Sequence, residues 1–494
     1  MVWHQHWVVV LGRAACPEDP DVSVAARGSA ATFGGSELAP EKLNSKARSV
    51  RIQFAIIVVV LGMTKLLASP EVFDRLTYHA PPKELSPEAV MEDWPRFLGP
   101  RHDLHSRETK LLKVFPKTGP NKVWEMERGS GHAPVVVVGD YLVAIHELDG
   151  LETIECLQPE TGKRYWKYDY PVQLGSNYGV RDAPRAGPVI DGDLVFTVGV
   201  RGDLLCLELD SGEVVWKKNL DDAYGHAPLF FGRGSCPLVY EDQLIVNAGG
   251  DMCVASFNKR TGELLWKTEH EWHASYSSPV PAEINGHKQV MVFAGGMLRP
   301  PVGGLLSIDP RNGRIEASIP WRAQMFASVN AASPVVVESG VFITEAYTEG
   351  GALVEFAKDG SASIRWKAER FGSQFTTPVA HDGYLYGVHG TGGTEIVCYE
   401  IESGKEMWRD SVALESARLG RASLLHIDGA FLCIGAQGTL IWLDLSPEGA
   451  KIISQAQLFR APETWGVPTV SKGLLYVNQN EMGSRLICYD LRDG

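Results

Sequence analysis

The chain has 494 residues and a formal net charge of −13, an acidic balance that argues against general attraction to nucleic acid or anionic lipid and makes any basic site a local one. Its 51 glycines, 29 prolines and 13 tryptophans suit a turn-rich, aromatic-studded β protein, a class in which one closed architecture can run well past the usual ~150 residues of a domain. Eight cysteines occur without a CxxC pair, so no zinc site, thioredoxin-type redox motif or other metal-ligating set is signalled.

Residues 1–49 mix Ala, Gly, Ser and Pro without a sustained period and read as disordered, or as an over-extended start with translation beginning near Val50. Lys46, Arg48 and Arg51 then precede an uncharged run from Ile52 to Thr64. That run is short for a membrane span of ~20 residues and fits a signal-peptide core of ~7–15. Leu67-Ala68-Ser69 offers small residues for cleavage, so residues 50–70 are expected to be a signal peptide or, on the other reading, a membrane anchor through residues 52–68. No cysteine follows the run, and lipoprotein attachment is not supported. The expected location is exported: periplasmic, or membrane-anchored facing the periplasm.

Residues 71–120 are a lead-in, and residues 121–494 carry a repeat. In Asp203–Lys217 an alternating strand, a Ser211-Gly212 turn and a strand with Trp216 form a hairpin. Its turn glycine recurs at Gly162, Gly212, Gly262, Gly313, Gly360, Gly404, Gly449 and Gly494, at spacings of 44–51 residues. Tryptophan follows as Trp166, Trp216, Trp266, Trp366 and Trp408, while Ala317 and Ile453 mark two degenerate copies. Six residues before the glycines stand Cys156, Cys206, Ser256, Ser307, Val354, Cys398, Leu443 and Cys488, which read as core fillers rather than a redox set. Each unit also starts a strand after a proline, as at Pro134, Pro188, Pro237, Pro279, Pro334, Pro378 and Pro468, with Ser423 in the remaining place. Proline lacks an N–H and suits the first position of a strand.

Four strands per unit and eight units predict an all-β, eight-bladed β-propeller of four-stranded antiparallel blades. The last unit ends without its tryptophan strand, and Lys122-Val-Trp124-Glu-Met126 is such a strand with no turn before it. Pairing the two closes the ring and leaves neither edge exposed.

The unit from Cys206 to Trp216, with near copies at Cys156–Trp166 and Cys398–Trp408, resembles the tryptophan-docking repeat of the pyrroloquinoline quinone (PQQ) propellers, over about 370 residues. Asp93-Trp-Pro-Arg-Phe-Leu-Gly-Pro100 looks like the lead-in of exported PQQ-like propellers. The resemblance implies either a quinoprotein dehydrogenase or a non-enzymatic, BamB-like envelope protein. Adjacent cysteines, a recognisable Ca²⁺ set and a CxxCH haem sequence, all features of the first branch, are not found.

Function is expected in the loops that do not repeat, those just before each proline-led strand. They carry Arg181, Arg185, Arg233, His273, Tyr276, Asn330, Gln374, Arg418, Arg421 and Trp465, a rim of arginines and aromatics suited to an anion or a protein. The alternative for each arginine is a partner within the ring. Gly249-Gly250, Gly295-Gly296, Gly350-Gly351 and Gly392-Gly393 permit tight turns but open no helix after a strand, so the P-loop and dinucleotide readings fail. The leading expectation is a non-catalytic binding or scaffold protein of the cell envelope, with an envelope protein or anionic small molecule as partner and no cofactor. The alternative is a PQQ-dependent dehydrogenase oxidising an alcohol, sugar or polymer alcohol. In it PQQ with Ca²⁺ is held by Arg181, Arg185 or Arg421, and Asp182 or Glu463 acts as base. A third class, a carbohydrate-binding module, would stack sugars on Trp272, Tyr276 and Trp465.

Overall fold

The computed structural model describes residues 69–493 apart from 174–182, 226–228, 250–251, 297–300, 326–327, 394, 411–418, 462–463, 465 and 481–482. The compact unit containing them runs from Lys65 to Gly494. The expected leader lies outside the described residues, except for Ser69 and Pro70 at its end. Among those described, no helix is long and apolar enough to cross a membrane.

Eight sheets, each with four antiparallel strands, form the eight-bladed propeller. Blade 2 shows the unit: Val189–Asp191 innermost, then Leu194–Val198, Asp203–Glu208 and Val214–Asn219 outermost. Each inner strand begins just after its proline or, in blade 7, at Ser423. Leu194–Val198 is buried throughout, because neighbouring blades cover both faces of a middle strand. The turns joining the first two strands of a blade are tight. At Asp382-Gly383 and Asp428-Gly429 both residues have positive φ (47° and 84°; 51° and 70°), the conformation that Asp-Gly pairs favour.

Blade 8 is closed as its sequence predicts. Thr469–Ser471, Leu474–Gln479 and Arg485–Asp490 are completed by Asn121–Glu127, with Trp124 opposite Cys488. A further outer strand, Leu76–Tyr78, pairs with Asn121–Glu127.

The repeated residues join blade to blade. The indole Nε1 of Trp124, Trp166, Trp216, Trp266, Trp366 and Trp408 donates to the carbonyl of Pro159, Leu209, Lys259, Pro310, Ile401 and Ser446, at 2.6–2.9 Å. Each acceptor lies three residues before the next blade's turn glycine. At Gly212 (φ 72°) a Cβ would come within 2.5 Å of the Trp166 ring, so both the left-handed backbone and the close stacking demand glycine. Gly360 follows a blade with Ala317 in place of tryptophan, and a Cβ there would meet nothing. In blades 5 and 7 the outer hairpin pairs further, to a turn shorter than the one in blade 2, and the register is shifted by one residue. Leu353, not Val354, faces Trp366, and in blade 7 the pair is exchanged, with Trp442 on the third strand facing Ser454. All seven described cysteines are buried and unpaired, which agrees with a packing role.

The lead-in threads across the end of the ring that carries the tight turns. Trp94 bridges to Val137 of blade 1, the Pro95 carbonyl accepts from Ile190 of blade 2, and His105–Ser106 runs parallel to the inner strand of blade 7, Ser423–Ile427. The carboxylate of Glu108, 1% exposed, accepts the backbone N–H groups of Glu92, Lys472 and Gly473. Burial still pushes its pKa above the usual range.

Candidate functional site

The strand order places the loops before the inner strands, and those between second and third strands, at the opposite end of the ring. From there a cavity of ≈ 110 Å³ reaches inward, against Arg185, Phe231, Tyr276, Phe375 and His132 and, from the lead-in on the other side of the ring, Phe97. Arg185 donates from Nη1 to the Phe231 carbonyl at 2.8 Å and stands over the Phe231 ring at 5.6 Å. The Tyr276 hydroxyl accepts the Phe231 N–H at 3.2 Å, and burial pushes its pKa up to about 12. Arg421 donates from Nε to Gln374 Oε1 at 3.0 Å and stands over Phe375 at 5.2 Å. Gln374 also accepts from Gly392 N–H and donates to the Tyr347 hydroxyl.

Other expected rim residues face elsewhere. Arg233 is 4% exposed and donates to Asp221 and to the carbonyls of Asn247 and Ala248. Asn330 is fully buried, with Nδ2 on the Ala294 carbonyl at 3.2 Å. His273 is half-buried outside the cavity lining, and Trp272 is packed in the core against His270. Arg181, Asp182, Arg418, Glu463 and Trp465 lie outside the described residues.

The family model described as outer membrane protein assembly factor BamB matches residues 150–410, more than half of the chain. The chain belongs to that family. Within the BamB family, the assembly factor of Burkholderia pseudomallei is 25% identical over 327 residues, covering 64% of this chain and 76% of its own. The quinoprotein alcohol dehydrogenase PedH of Pseudomonas putida is 27% identical over 161 residues, covering 31% of this chain. The chain spans only 25% of that enzyme's length. A solved europium-containing methanol dehydrogenase superposes with a TM-score of 0.57 at 11% identity, covering 81% of this chain and 98% of its own, a likeness of fold alone.

PQQ, the fused-ring quinone polycarboxylate of the dehydrogenase branch, is a poor match to the loop-end cavity. The described lining offers Arg185 but no carboxylate for Ca²⁺, and its volume falls below the roughly 300–1,000 Å³ of ordinary small-molecule sites. The described residues of this BamB-family propeller do not fit that cofactor.

Two lining residues escape a reading of the rim by sequence. His132 stands two residues before Pro134, in phase with the other rim positions, so the repeat register was the signal for it. Phe97 carries no such signal, because the path of the lead-in follows from packing. A third feature is remote in sequence: His105, His381 and His426 converge at the tight-turn end. Burial pushes His426 down to about 3 and lowers His381 as well, so their rings are neutral at ordinary pH.

One buried carboxylate sits near the loop end without lining the cavity. Glu152 Oε1 accepts the Val200 N–H at 2.9 Å, with the Tyr170 hydroxyl beside it, and burial pushes its pKa up to about 7. A carboxyl raised above its unfolded value contributes stability that is present below about pH 4.5 and lost as pH rises through about 7. Glu152→Gln is therefore expected to gain on the order of 3 kcal/mol over the parent between pH 5 and pH 8. Urea unfolding of both proteins at the two pH values measures this, and parallel pH profiles would refute it.

Proposed function

We infer that this protein is an exported propeller of the cell envelope that acts without catalysis, holding a protein partner on its loop face. One observation carries the reading: the described arginines of that face are engaged by the propeller itself. Arg185 is held by Phe231, Arg421 by Gln374 and Phe375, and Arg233 by Asp221 and two carbonyls, around a cavity of only ≈ 110 Å³. Two large apolar side chains of that face point outward, Phe230 at 42% exposure and Met325 at 49%. Aromatic and methionine side chains beside guanidinium groups suit a protein interface. The outer-membrane assembly factor among its relatives and the apolar run from Ile52 to Thr64 support an envelope setting.

A photo-crosslinking residue placed at Phe230 or Met325 is expected to trap one discrete envelope protein in cells, and one at Val336, near the tight-turn end, to trap none. Equal adducts from both ends, or none, would refute the reading. The similarity to PedH favours a second reading, a PQQ-dependent dehydrogenase oxidising an alcohol, sugar or polymer alcohol. That reading takes Arg181, Arg185 or Arg421 to hold the quinone carboxylates and Asp182 or Glu463 as base, and the described lining, which has no carboxylate, speaks against it. Stoichiometric quinone absorbance with dye-linked alcohol oxidation, after adding PQQ and Ca²⁺, would establish that reading and sink the scaffold. An anionic small molecule that binds the face and competes with crosslinking would replace the protein partner.

A further inference from the structure

We propose that His105, His381 and His426 form a binding site for a late first-row divalent metal ion, with zinc as the test case, where the lead-in meets blades 6 and 7. Each residue offers one ring nitrogen, and the three atoms lie within 4.8 Å of one another. Ring centroids are 3.8 Å apart for His381 and His426, 4.9 Å for His105 and His426, and 5.6 Å for His105 and His381. No other set of three or more His, Cys, Asp or Glu side chains converges in this way among the described residues.

The backbone sets this convergence. His105 and His426 are register partners in the parallel pair, and His381 ends the inner strand of the adjacent blade, Val379–His381. The ring of His105 is oriented from behind: its Nδ1 lies 2.9 Å from the Asp103 carbonyl, which can only accept, so Nδ1 carries the proton and Nε2 keeps its lone pair. A second hydrogen bond of this kind is what fixes the tautomer of metal-binding histidines. The backbone N–H of His426 donates to the Leu104 carbonyl at 3.0 Å, while its imidazole makes no hydrogen bond with any described residue and stacks on His381. Phe431 packs edge-on against His426 and His381, at 5.0 and 5.8 Å, and gives the cluster an apolar wall. If the position served packing alone, a ring like that of Phe431 would fill it without nitrogen atoms to satisfy.

The charge around the rings suits a cation. Asp382 Oδ2 is 3.4 Å from His381 Nε2, and Asp103 Oδ2 is 3.8 Å from His105 Nδ1, with Arg101 Nε 3.6 Å from the Asp103 carboxylate. The side chains of His105 and His381 are 21% and 27% exposed, so an ion can reach them from solvent. Three imidazoles select zinc, copper or nickel over Ca²⁺ and Mg²⁺, which take oxygen ligands. An ion there would tie the lead-in, whose continuation is the closing strand Asn121–Glu127, to two blades distant from it in sequence, and would stabilise the ring by mass action.

The test uses the untagged, metal-stripped full chain. Calorimetric titration with zinc is expected to show one site, with a rise in Tm, and Co²⁺ to give the visible ligand-field bands of a low-coordinate nitrogen site. His381→Asn and His105→Gln lie on separate segments, so one can serve if the other misfolds. Each, with unchanged circular dichroism, is expected to weaken zinc binding at least as much as the ~100-fold upper range for losing an outer-shell partner. Substoichiometric zinc, unchanged affinity in a folded variant, or an equal rise in Tm with Ca²⁺ would each overturn the proposal.

Discussion

Trp124→Ala is expected to destabilise the propeller by about 3–5 kcal/mol, the range for truncating a buried large aromatic. The indole is fully buried and is held on both sides of the closure. Its strand pairs with the last strand of the chain, with Trp124 opposite Cys488. Its Nε1 donates to the Pro159 carbonyl of blade 1 at 2.7 Å, and its ring covers Gly162, where a Cβ would come within 2.7 Å. Trp124 therefore links blade 8 to blade 1 as well as filling space. Trp408→Ala serves as a comparison, because that ring is only half-buried and the following turn glycine, Gly449, has open space around it. Urea unfolding should place Trp408→Ala well above Trp124→Ala in midpoint. Equal losses would show that closure has no special weight.

The second large effect is expected inside blade 5. Arg322 and Glu345, 3% and 0% exposed, form a buried ion pair at the loop end. Arg322 also donates to Ser328 Oγ and to the Ser328 carbonyl, both at 2.9 Å, while the other Glu345 oxygen accepts the Ala323 N–H at 3.1 Å. Burial pulls the Arg322 pKa down to about 10, which leaves the guanidinium charged at neutral pH. Arg322→Met leaves a buried carboxylate without its counter-charge and should cost about 3–5 kcal/mol. The double variant Arg322→Met/Glu345→Leu removes both charges. It should cost less than Arg322→Met alone, retaining only the penalty of the unpaired Ala323 and Ser328 groups, about 1–3 kcal/mol. A double-mutant cycle with additive losses would disprove the coupling.

Much of the architecture is legible in the sequence, because a propeller writes its period into the chain. Turn glycines, the tryptophans after them and the prolines before the inner strands each answer a local demand: positive φ, a ring to cover the next turn, and a strand start that needs no N–H. Those demands recur once per blade, so counting them yields eight units, and the unmatched strand at Trp124 fills the gap left after Leu491. The register of blades 5 and 7 is not carried by the repeat, because turn length there departs from it.

The loop end was only partly legible. Phase along the chain put Arg185, Tyr276, Gln374 and Arg421 at one end of the ring, yet it could not say that Arg233 turns inward to Asp221 while Arg185 turns to Phe231. Which way a guanidinium points depends on carbonyls and carboxylates supplied by other loops. The lead-in gave the least warning. Its residues carry no period, so neither Phe97 beneath the cavity nor His105 beside His381 and His426 could be placed from the chain alone. Periodic local constraints set the number of blades and the joint between them, whereas contacts between distant segments set what each end of the axis holds, and those contacts exist only once the ring has closed.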